Sequence, residues 1–383
     1  MDQPARATIR EHFAPLPDPR SDHCKQHQLL DIITIALCGV ICGAEGWTEI
    51  EQFGRAKLPW LRTFLPLPHG VPSHDTFGRV FAALDPAQFQ HCFLGWVQAV
   101  AAQTSGRVVS GQVVALDGKT LRRSHDRTNG TAAIHLVSAW ATQNRLVLGQ
   151  VKVDDTSNEI TALPELIQVL ALQGCIVTID AMGCQTAIAQ TIIAQGADYV
   201  LALKGNQPTL EQAVRAMFAD AQATGFHGLA YDHHTTVEKG HGRIETRRCW
   251  TISEPEHIAY LNEQGGWAGL RSIGMVDAER TIGEATSREA RYFISSLAGE
   301  ARQVGQAVRA HWGIENGLHW VLDIAFREDD CRVRQGEAAQ NFAILRHVAL
   351  NLLREERTAK IGVKAKRLKA GWDEQYLLRV LQL

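Results

Sequence analysis

Hydrophobic residues in the first hundred positions recur at the three- and four-residue spacing of amphipathic helices. The most hydrophobic run, residues 29–44, contains Asp31 and is shorter than a bilayer requires, so we interpret it as a buried core helix and expect no membrane span. Four helices are predicted: Leu29–Cys42, Trp47–Phe64 opened by Thr48 and Glu51 at capping-box spacing, 76–84 capped by Ser73, and one that runs from Asp85-Pro86 through Val100. Together they predict a helical N-terminal domain over residues 1–105.

The pattern changes after Val108, where short runs rich in β-branched residues replace the helical spacing. Strands are predicted at 112–116, 133–141, 146–153, 175–179 and 199–203, and helices at 159–172, 185–195 and 209–221. Three strands in a row, then strand alternating with helix, predict an α/β fold with a mixed sheet flanked by helices. We assign this core to residues 106–222 and 291–350, with a β-rich insertion at 223–290 and a basic helical tail at 351–383.

Composition narrows the class of protein only a little. The chain has 383 residues, 45% hydrophobic and 21% charged, which is ordinary for a globular protein with a large core. A formal net charge of −2 does not indicate a nucleic-acid partner, so such a partner needs local basic patches. The eight cysteines are scattered without a CxxC pair, which argues against a disulfide framework or a zinc ribbon. No secretory leader is evident, so we expect a cytoplasmic protein.

Two aspartates follow directly on predicted strands. Asp117 comes after the run 112–116, and Asp180 comes after the run 175–179. Ligands bind at strand ends in α/β sheets. A single aspartate at such a place is more often a turn or helix-cap residue. Two of them, on strands that we expect to be neighbours, indicate a binding site.

A third carboxylate lies in the segment 310–323, which we predict to be a helix. The residues three and four positions away from Glu315 on such a helix are His311, Trp312, Leu318 and His319. A carboxylate among these groups is costly to desolvate unless a cation pairs with it. We therefore expect Glu315 to face inward, next to a histidine, an arginine or a metal ion.

Three carboxylates that converge raise one another's pKa unless cations hold them. Oxygen ligands favour Mg²⁺ or Mn²⁺ over zinc. Two such ions about 3.5–4 Å apart can activate water and stabilise the leaving oxygen in phosphodiester chemistry. The alternative is a zinc ion bound by His311, Glu315 and His319 at four-residue steps, but the segment offers no further external ligand for it.

Four ordered motifs resemble those of a known protein family. They are Leu-Asp-Gly-Lys-Thr from residue 116, Thr-Ile-Asp-Ala-Met-Gly-Cys-Gln from 178, Leu-Ala-Leu-Lys-Gly-Asn-Gln from 201, and His-Trp-Gly-Ile-Glu-Asn-Gly-Leu-His-Trp-Val-Leu-Asp from 311. In this order they resemble the H-repeat-associated transposases, which are DDE transposases of bacterial insertion sequences. The resemblance covers nearly the whole chain.

This resemblance implies an RNase H-like catalytic core in which Asp117, Asp180 and Glu315 form the catalytic and metal-binding triad. It implies two Mg²⁺ (or Mn²⁺) ions per active site, hydrolytic nicking at the ends of the element, and strand transfer by the freed 3′-hydroxyl. The implied partner is double-stranded DNA, at the element ends and at the target. The implied assembly is a homodimer on paired ends, associated with the bacterial nucleoid in the cytoplasm.

The residues around Glu315 depart from the pattern of related DDE families. Where those families have Tyr, Arg and Lys at fixed distances from the glutamate, this chain has Val308, His311 and Leu322. Arg309 and His311 are therefore the local candidates for a contact with the DNA phosphates.

Further DNA contacts are predicted at polar residues that follow the strands. Lys204 and Asn206 lie between a strand and a helix, where a phosphate can bind, although a plain turn is the equal alternative. Lys119 and Arg122 come shortly after Asp117. Lys119 is the better candidate for substrate contact, because Arg122 belongs to a run of charges that can simply be solvated.

The insertion contains a basic hairpin at 239–248. Lys239, Arg243 and Arg247 are its candidate DNA contacts, because a basic β-ribbon can lie in a groove or along phosphates. Trp250 and Trp267 can in principle stack on a flipped base, but we expect them to be buried.

Two rival functions remain open. The first rival to an active transposase is a decayed or domesticated relative that binds DNA without mobilising it. The second rival is an RNase H-like nuclease without strand transfer. The N-terminal helices and the β-rich insertion make this nuclease the weaker interpretation.

Overall fold

A nine-stranded mixed β-sheet runs through the part of the chain that the structure describes. A computed structural model describes residues 9–105, 111–125, 132–153, 158–240 and 242–382. The strands, numbered in chain order, are β1 Val113–Thr120, β2 His135–Ala141, β3 Leu146–Val153, β4 Ile176–Ile179, β5 Asp198–Leu203, β6 Tyr231–Gly240, β7 Arg243–Ile252, β8 Ser272–Ile282 and β9 Ala285–Ser295. They lie in the order β3-β2-β1-β4-β5-β9-β8-β7-β6.

Helices surround this sheet. In chain order they are α1 Ile9–Phe13, α2 Leu29–Cys42, α3 Trp47–Ala56, α4 Leu58–Leu61, α5 His74–Ala83, α6 Pro86–Ser105, α7 Glu159–Val169, α8 Thr186–Ala194, α9 Pro208–Ala223, α10 Pro255–Gly265, α11 Ala301–His311, α12 Trp320–Phe326, α13 Ala338–Glu355, α14 Val363–Trp372 and α15 Glu374–Leu381. The expectation of an α/β fold with a large mixed sheet flanked by helices is confirmed.

The direction of each strand follows from its connection. Strand β4 is parallel to β1 and β5 is parallel to β4, because the crossovers through α7 and α8 return the chain to the same end of the sheet. The other neighbouring pairs are antiparallel. The carboxyl ends of β1, β4 and β5 therefore share one edge of the fold.

The two faces of the sheet carry different helices. Strand side chains alternate between faces; on β4, Val177 and Ile179 pack in one core with α7, α8 and α9. Ile176 points the other way and packs in a second core with α11. A third core joins α2 to α6 and α12 to α15 with one face of β1 to β3.

The N-terminal helices and the tail are tied to the rest of the protein by buried polar contacts. The Asn341 amide nitrogen on α13 donates to the carbonyl oxygens of Phe81 (2.8 Å) and Leu84 (2.9 Å). In the tail, which we predicted to be basic and helical, Lys366 and Arg367 are buried. Their cationic groups donate to backbone carbonyls. These two cations are therefore not free to contact DNA.

Two of the predicted N-terminal helices match the structure closely. The run 29–42 forms α2 with the predicted bounds. Ser73 is the N-cap of α5, where its hydroxyl oxygen accepts a hydrogen bond from the Thr76 N–H. Local sequence signals were sufficient for these elements.

The predicted helix Trp47–Phe64 is wrong in two respects. It breaks into α3 and α4 around Lys57, because Pro59 has no N–H to continue the helical hydrogen bonding. The predicted capping box is absent, since Gly46 is the N-cap. Glu51 instead accepts hydrogen bonds from the backbone N–H (2.9 Å) and the ring nitrogen (2.7 Å) of His74.

The segment 223–290, which we predicted to be a β-rich insertion, continues the central sheet. Strand β9 pairs with β5 over residues 292–295 and 200–203, and β8, β7 and β6 follow in turn. These strands are 10 or 11 residues long, and β6 and the first half of β9 are mostly exposed. The predicted domain boundary at 105/106 falls at the edge of residues 106–110, which lie outside the described residues.

No single helix in the described residues is long and apolar enough to cross a membrane. The pair α2 and α3 reaches the required length and apolarity only when the two are taken together, and it is bent by 96°. Most side chains of α2 are buried in the protein core.

Candidate active site

The two predicted aspartates lie next to each other at the edge where the parallel strands end. In the pairing of β1 with β4, Leu116 is the partner of Ile179, and the next residue on each strand is Asp117 or Asp180. We predicted that this strand ends at residue 116. Strand β1 instead stays paired with β2 through Thr120. The adjacency of the two aspartates is thus a property of the strand register.

Both aspartates project to the face of the sheet that α11 covers. Val113 on β1 and Ile176 on β4 pack in the core with α11. Each aspartate is four residues further along its strand, and side chains alternate with a period of two. The helical segment that contains Glu315 continues from α11 on this same face.

The helix around Glu315 differs from the expectation. A π turn covers Glu315–His319, in which the Trp320 N–H bonds to the Glu315 carbonyl. The buried stripe of the segment consists of Ile314, Leu318 and Leu322. Glu315 lies beside this stripe and is exposed. The expectation that Glu315 faces inward, away from solvent, is wrong.

The three carboxylates nevertheless line one cleft. Its volume is about 380 Å³, and Asp117, Asp180 and Glu315 are all part of its wall. The other charged or aromatic residues of the wall are Lys204, Glu211, Arg215, Glu289, Arg291, Tyr292, Phe293, His311 and Trp312. Within the described ranges, no three His, Cys, Asp or Glu side chains stand close enough together to hold a metal ion.

Asp180 is in an electrostatically unfavourable position. Burial raises the pKa of its carboxyl group, and the Glu159 and Asp117 carboxylates raise it further. The backbone N–H groups of Met182 (3.0 Å) and Gly183 (3.5 Å) donate to its Oδ1 and only partly offset these effects. Protonation of Asp180 is therefore easier than that of an ordinary aspartate.

Two histidines lie four residues on either side of Glu315. His311 Nδ1 is 3.1 Å from the Thr178 hydroxyl on β4. Burial lowers the pKa of His311, although the Asp117 and Asp180 carboxylates act to raise it. The imidazole is therefore neutral at neutral pH and carries no positive charge with which to bind a phosphate. His319 is buried, and its Nε2 lies 3.2 Å from Asp117 Oδ2.

Lys119 faces a buried acidic cluster. Its ammonium nitrogen contacts Asp323, Glu328 (3.1 Å) and Asp329 (3.8 Å), and its side chain is 13% exposed. Burial disfavours the charged form, but the Glu328 and Asp323 carboxylates outweigh it and raise the pKa of Lys119. Lys119 therefore ties β1 to α12 and to the turn Glu328–Asp330, instead of pointing into the cleft.

The turn after β5 supports the turn after β4. Lys204 is exposed and lines the cleft. The Asn206 amide nitrogen donates to the Ala181 carbonyl, and the Gln207 amide nitrogen donates to the Cys184 carbonyl (3.0 Å). Lys204 is thus placed for a ligand, whereas Asn206 is already used inside the protein.

Most of the other predicted DNA contacts are paired with acidic side chains. Arg247 pairs with Glu245 and with Glu238 (3.2 Å), and Arg309 also pairs with Glu238 (3.0 Å). Arg243 lies 3.9 Å from Glu245. None of these three arginines lines the cleft.

The remaining two predicted DNA contacts lie at the surface. Arg122 is exposed and 3.2 Å from Asp329. Lys239 lies near the exposed end of β6. Neither residue lines the cleft.

Sequence reasoning missed two arginines of the cleft, Arg291 and Arg215. Arg291 lies 4.6 Å from the centre of the Trp312 ring, and Arg215 lies 4.9 Å from that of Tyr292. Arg291 lies on β9 and reaches the cleft because β9 pairs with β5, a pairing between distant parts of the chain that no local pattern indicates. Arg215 lies on α9, where it packs over Tyr292 of β9. The expectation that Trp267 is buried is confirmed, whereas Trp250 is half-buried against His233.

Comparison with known families matches almost the whole described chain. The profile described as "Transposase DDE domain" matches residues 109–352. The profile described as "DDE_Tnp_1-associated" matches residues 10–97.

Individual relatives are similar over the same extent. The "H repeat-associated putative transposase YhhI" of Escherichia coli K12 is 39% identical over 377 residues, which is 97% of each chain. The "Putative transposase YncI" of Escherichia coli O157:H7 is 40% identical over 378 residues, 98% of this chain and 94% of that protein. Among solved structures, a piggyBac transposase synaptic complex with hairpin DNA aligns with a TM-score of 0.38 and 10% identity, over 100% of this chain and 79% of that one. A similarity this weak says nothing about function.

Proposed function

Because the chain belongs to the H-repeat-associated family of DDE transposases, we propose that it is the transposase of an insertion sequence. It nicks DNA at the ends of the element by hydrolysis and transfers the freed 3′-hydroxyl to target DNA. The observation that carries this proposal is the in-register pair Asp117 and Asp180, which lines one cleft with Glu315. These three residues are its proposed catalytic triad.

The strand arrangement supports an RNase H-like core. Strands β1 to β5 lie in the order β3-β2-β1-β4-β5, with an antiparallel β1–β2–β3 unit joined to parallel β4 and β5. We place the catalytic core on these strands and on the helical segment that contains Glu315. The strands β6 to β9 then form an extension of this core sheet.

The residues of the cleft suit a divalent cation. The candidate donors are carboxylate oxygens, which Mg²⁺ and Mn²⁺ prefer. Burial and the neighbouring Glu159 and Asp117 carboxylates raise the pKa of Asp180, so a cation bound beside it would stabilise its charged form. Asp117, Asp180 and Glu315 line this cleft and would hold the ions after their side chains move closer together than they stand in the structure. Two bound ions activate water and stabilise the leaving oxygen of a phosphodiester.

The protein's own residues position the DNA. Lys204, Arg215 and Arg291 border the cleft, where they can contact phosphates next to the scissile bond. The ring of Trp312, covered on one side by Arg291, would shield the bound phosphates from water. Lys239, Arg243, Arg247, Arg309 and Arg122 are proposed to contact DNA outside the cleft. The DNA-bound form is proposed to be a homodimer on paired ends.

Cleavage of end-containing DNA by the purified full chain with Mg²⁺ or Mn²⁺ tests this proposal. Wild type should nick and join the DNA. Asp117→Asn, Asp180→Asn and Glu315→Gln should each reduce both steps by several orders of magnitude while they retain DNA binding. Asp220→Asn, an exposed substitution on α9 outside the cleft, is the matched control and should behave as wild type.

The outcomes separate the rival functions. Full activity in the three cleft variants would refute the catalytic assignment. DNA binding without nicking by wild type would favour the decayed or domesticated relative, and nicking without joining would favour a simple nuclease.

A further inference from the structure

His319 is buried beside the proposed catalytic carboxylates without a hydrogen bond. Its side chain is 7% exposed, and neither ring nitrogen has a hydrogen-bond partner among the described residues. Nε2 lies 3.2 Å from Asp117 Oδ2, which is within hydrogen-bond distance but not aligned for one. An unpaired buried polar group costs about 1–3 kcal/mol. The location of this imidazole therefore calls for a functional explanation.

The π turn brings the imidazole to this place. His319 is the last residue of the turn Glu315–His319. Such a turn adds one residue to a helix and is frequent at functional sites. Here it leaves Glu315 exposed at the cleft and puts His319 in the interior, next to Asp117. The π turn thus determines both the exposure of Glu315 and the position of the imidazole next to Asp117.

We propose that His319 is a positioning residue for Asp117, an inference that rests on the proposed metal-dependent function. Its Nε2–H donates to Asp117 Oδ2 once the carboxylate rotates into line, and this bond orients the carboxylate towards the cation. Hydrogen-bond partners of metal-binding carboxylates commonly act in this way. Their removal typically lowers metal affinity or activity 10- to 100-fold.

His311 makes the corresponding contact on the other strand. Its ring bonds to Thr178, which precedes Asp180 by two residues on β4. The two histidines that flank Glu315 therefore connect its helix to both strands that carry an aspartate. This arrangement sets the distance between all three carboxylates through side chains that do not themselves react.

The affinity of the full chain for Mn²⁺ alone, measured by electron paramagnetic resonance titration, tests the role of His319. His319→Leu removes the donor and should weaken Mn²⁺ binding 10- to 100-fold. His319→Gln places an amide N–H near the position of Nε2 and should restore affinity close to that of wild type. His257→Leu removes another imidazole whose Nδ1 is unpaired, on α10 outside the cleft, and should not change it.

Thermal stability separates positioning from a merely structural role. Replacing an unpaired buried imidazole with an apolar side chain should leave the melting temperature of His319→Leu unchanged or higher. A structural role would instead lower the melting temperature together with the affinity in both His319 variants. That result would overturn the proposal, and so would an unchanged Mn²⁺ affinity in His319→Leu.

The variant Asp117→Asn distinguishes a failure of the positioning role of His319 from a failure of the proposed metal site. If it abolishes Mn²⁺ binding while His319→Leu does not weaken it, the positioning role is wrong and the metal site stands. If Asp117→Asn leaves Mn²⁺ binding unchanged, the proposed metal site is wrong, and the role of His319 falls with it.

Discussion

Gly317, inside the π turn, packs directly on a buried tryptophan ring, and we predict that Gly317→Ala is destabilising relative to Gly313→Ala. A Cβ at Gly317 would lie 2.9 Å from Cζ2 and 3.3 Å from Cε2 of Trp140. At Gly313, one turn earlier, a Cβ would lie 3.9 Å from Nε1 of the same ring, an ordinary contact. The two positions are thus a matched pair that faces the same neighbour.

The ring cannot move aside easily. Trp140 is 1% exposed on β2, and the Arg354 guanidinium covers its face at 4.4 Å from the ring centre. Arg354 also donates to the carbonyl oxygen of Gly317. Either the ring or the turn must therefore shift by about half an ångström to restore an ordinary contact.

The magnitude follows from two opposing effects. Replacing glycine with alanine inside a helix stabilises it by about 1 kcal/mol, and this gain applies to both positions. Overpacking of a core costs about 1–3 kcal/mol, and this cost applies to Gly317 alone. The difference in unfolding free energy between the two variants is therefore the overpacking cost, about 1–3 kcal/mol in favour of Gly313→Ala.

Urea denaturation followed by circular dichroism measures this difference. Because the displaced turn contains Glu315 and His319, Gly317→Ala should also lose more DNA-cleavage activity than Gly313→Ala. Equal stability of the two variants, or a more stable Gly317→Ala, would refute the argument that the glycine is needed for packing on Trp140.

Three further predictions concern buried polar groups. Burial lowers the pKa of His347 from 6.5 to about 4. The contribution of the neutral imidazole to the unfolding free energy is therefore fully present above about pH 6.5 and is lost as the pH falls towards 4, by on the order of 3 kcal/mol. The urea midpoint of His347→Gln should depend less steeply on pH than that of wild type, and parallel pH profiles would contradict this. Lys119→Met removes the ammonium group that three carboxylates share; Glu328 keeps Arg346 and Asp329 keeps Arg122, but Asp323 loses its cation, and the change should cost about 3–5 kcal/mol in urea unfolding. A loss below about 1 kcal/mol would show that the cluster does not need Lys119. The Asn351 amide bonds to both the N–H and the carbonyl oxygen of Val147 at 2.9 Å each, so Asn351→Ala should cost about 2–4 kcal/mol. Asn351→Asp places a buried carboxylate against the Val147 carbonyl oxygen and should cost at least as much at neutral pH; a near-neutral effect of either variant would argue against the paired bonds.

The sequence predicts best where short-range pattern alone decides the structure. The bounds of α2 and β3 match the predicted bounds, because hydrophobic residues extend from one end of each element to the other. Pro59 is a signal for a helix break, but the helical spacing of hydrophobic residues on both sides of it favours one continuous helix. Helix propensity summed over a long window hides a single proline.

The candidate site was predictable in its residues but not in its geometry. Asp117 and Asp180 were found because each follows a hydrophobic strand, and the strand register then places them side by side. The exposure of Glu315 was not predictable, because spacing on an α-helix does not indicate a π turn. The partners of Lys119 lie more than two hundred residues away in sequence, so their proximity depends on tertiary packing.

The two acidic clusters of this fold differ in whether a Lys or Arg side chain pairs with them, and this difference bears on function. Asp323 and Glu328 receive the ammonium group of Lys119, and the pKa of the buried Glu328 carboxyl is lowered, because Lys119 and Arg346 outweigh its burial. In the cleft, no Lys or Arg of the described chain forms an ion pair with the three carboxylates of the proposed triad. A chain that can place an internal cation beside one cluster, but leaves the other without one, retains a site where an external cation is favourable. In the proposed function, this external cation is the metal ion that Asp117, Asp180 and Glu315 would hold.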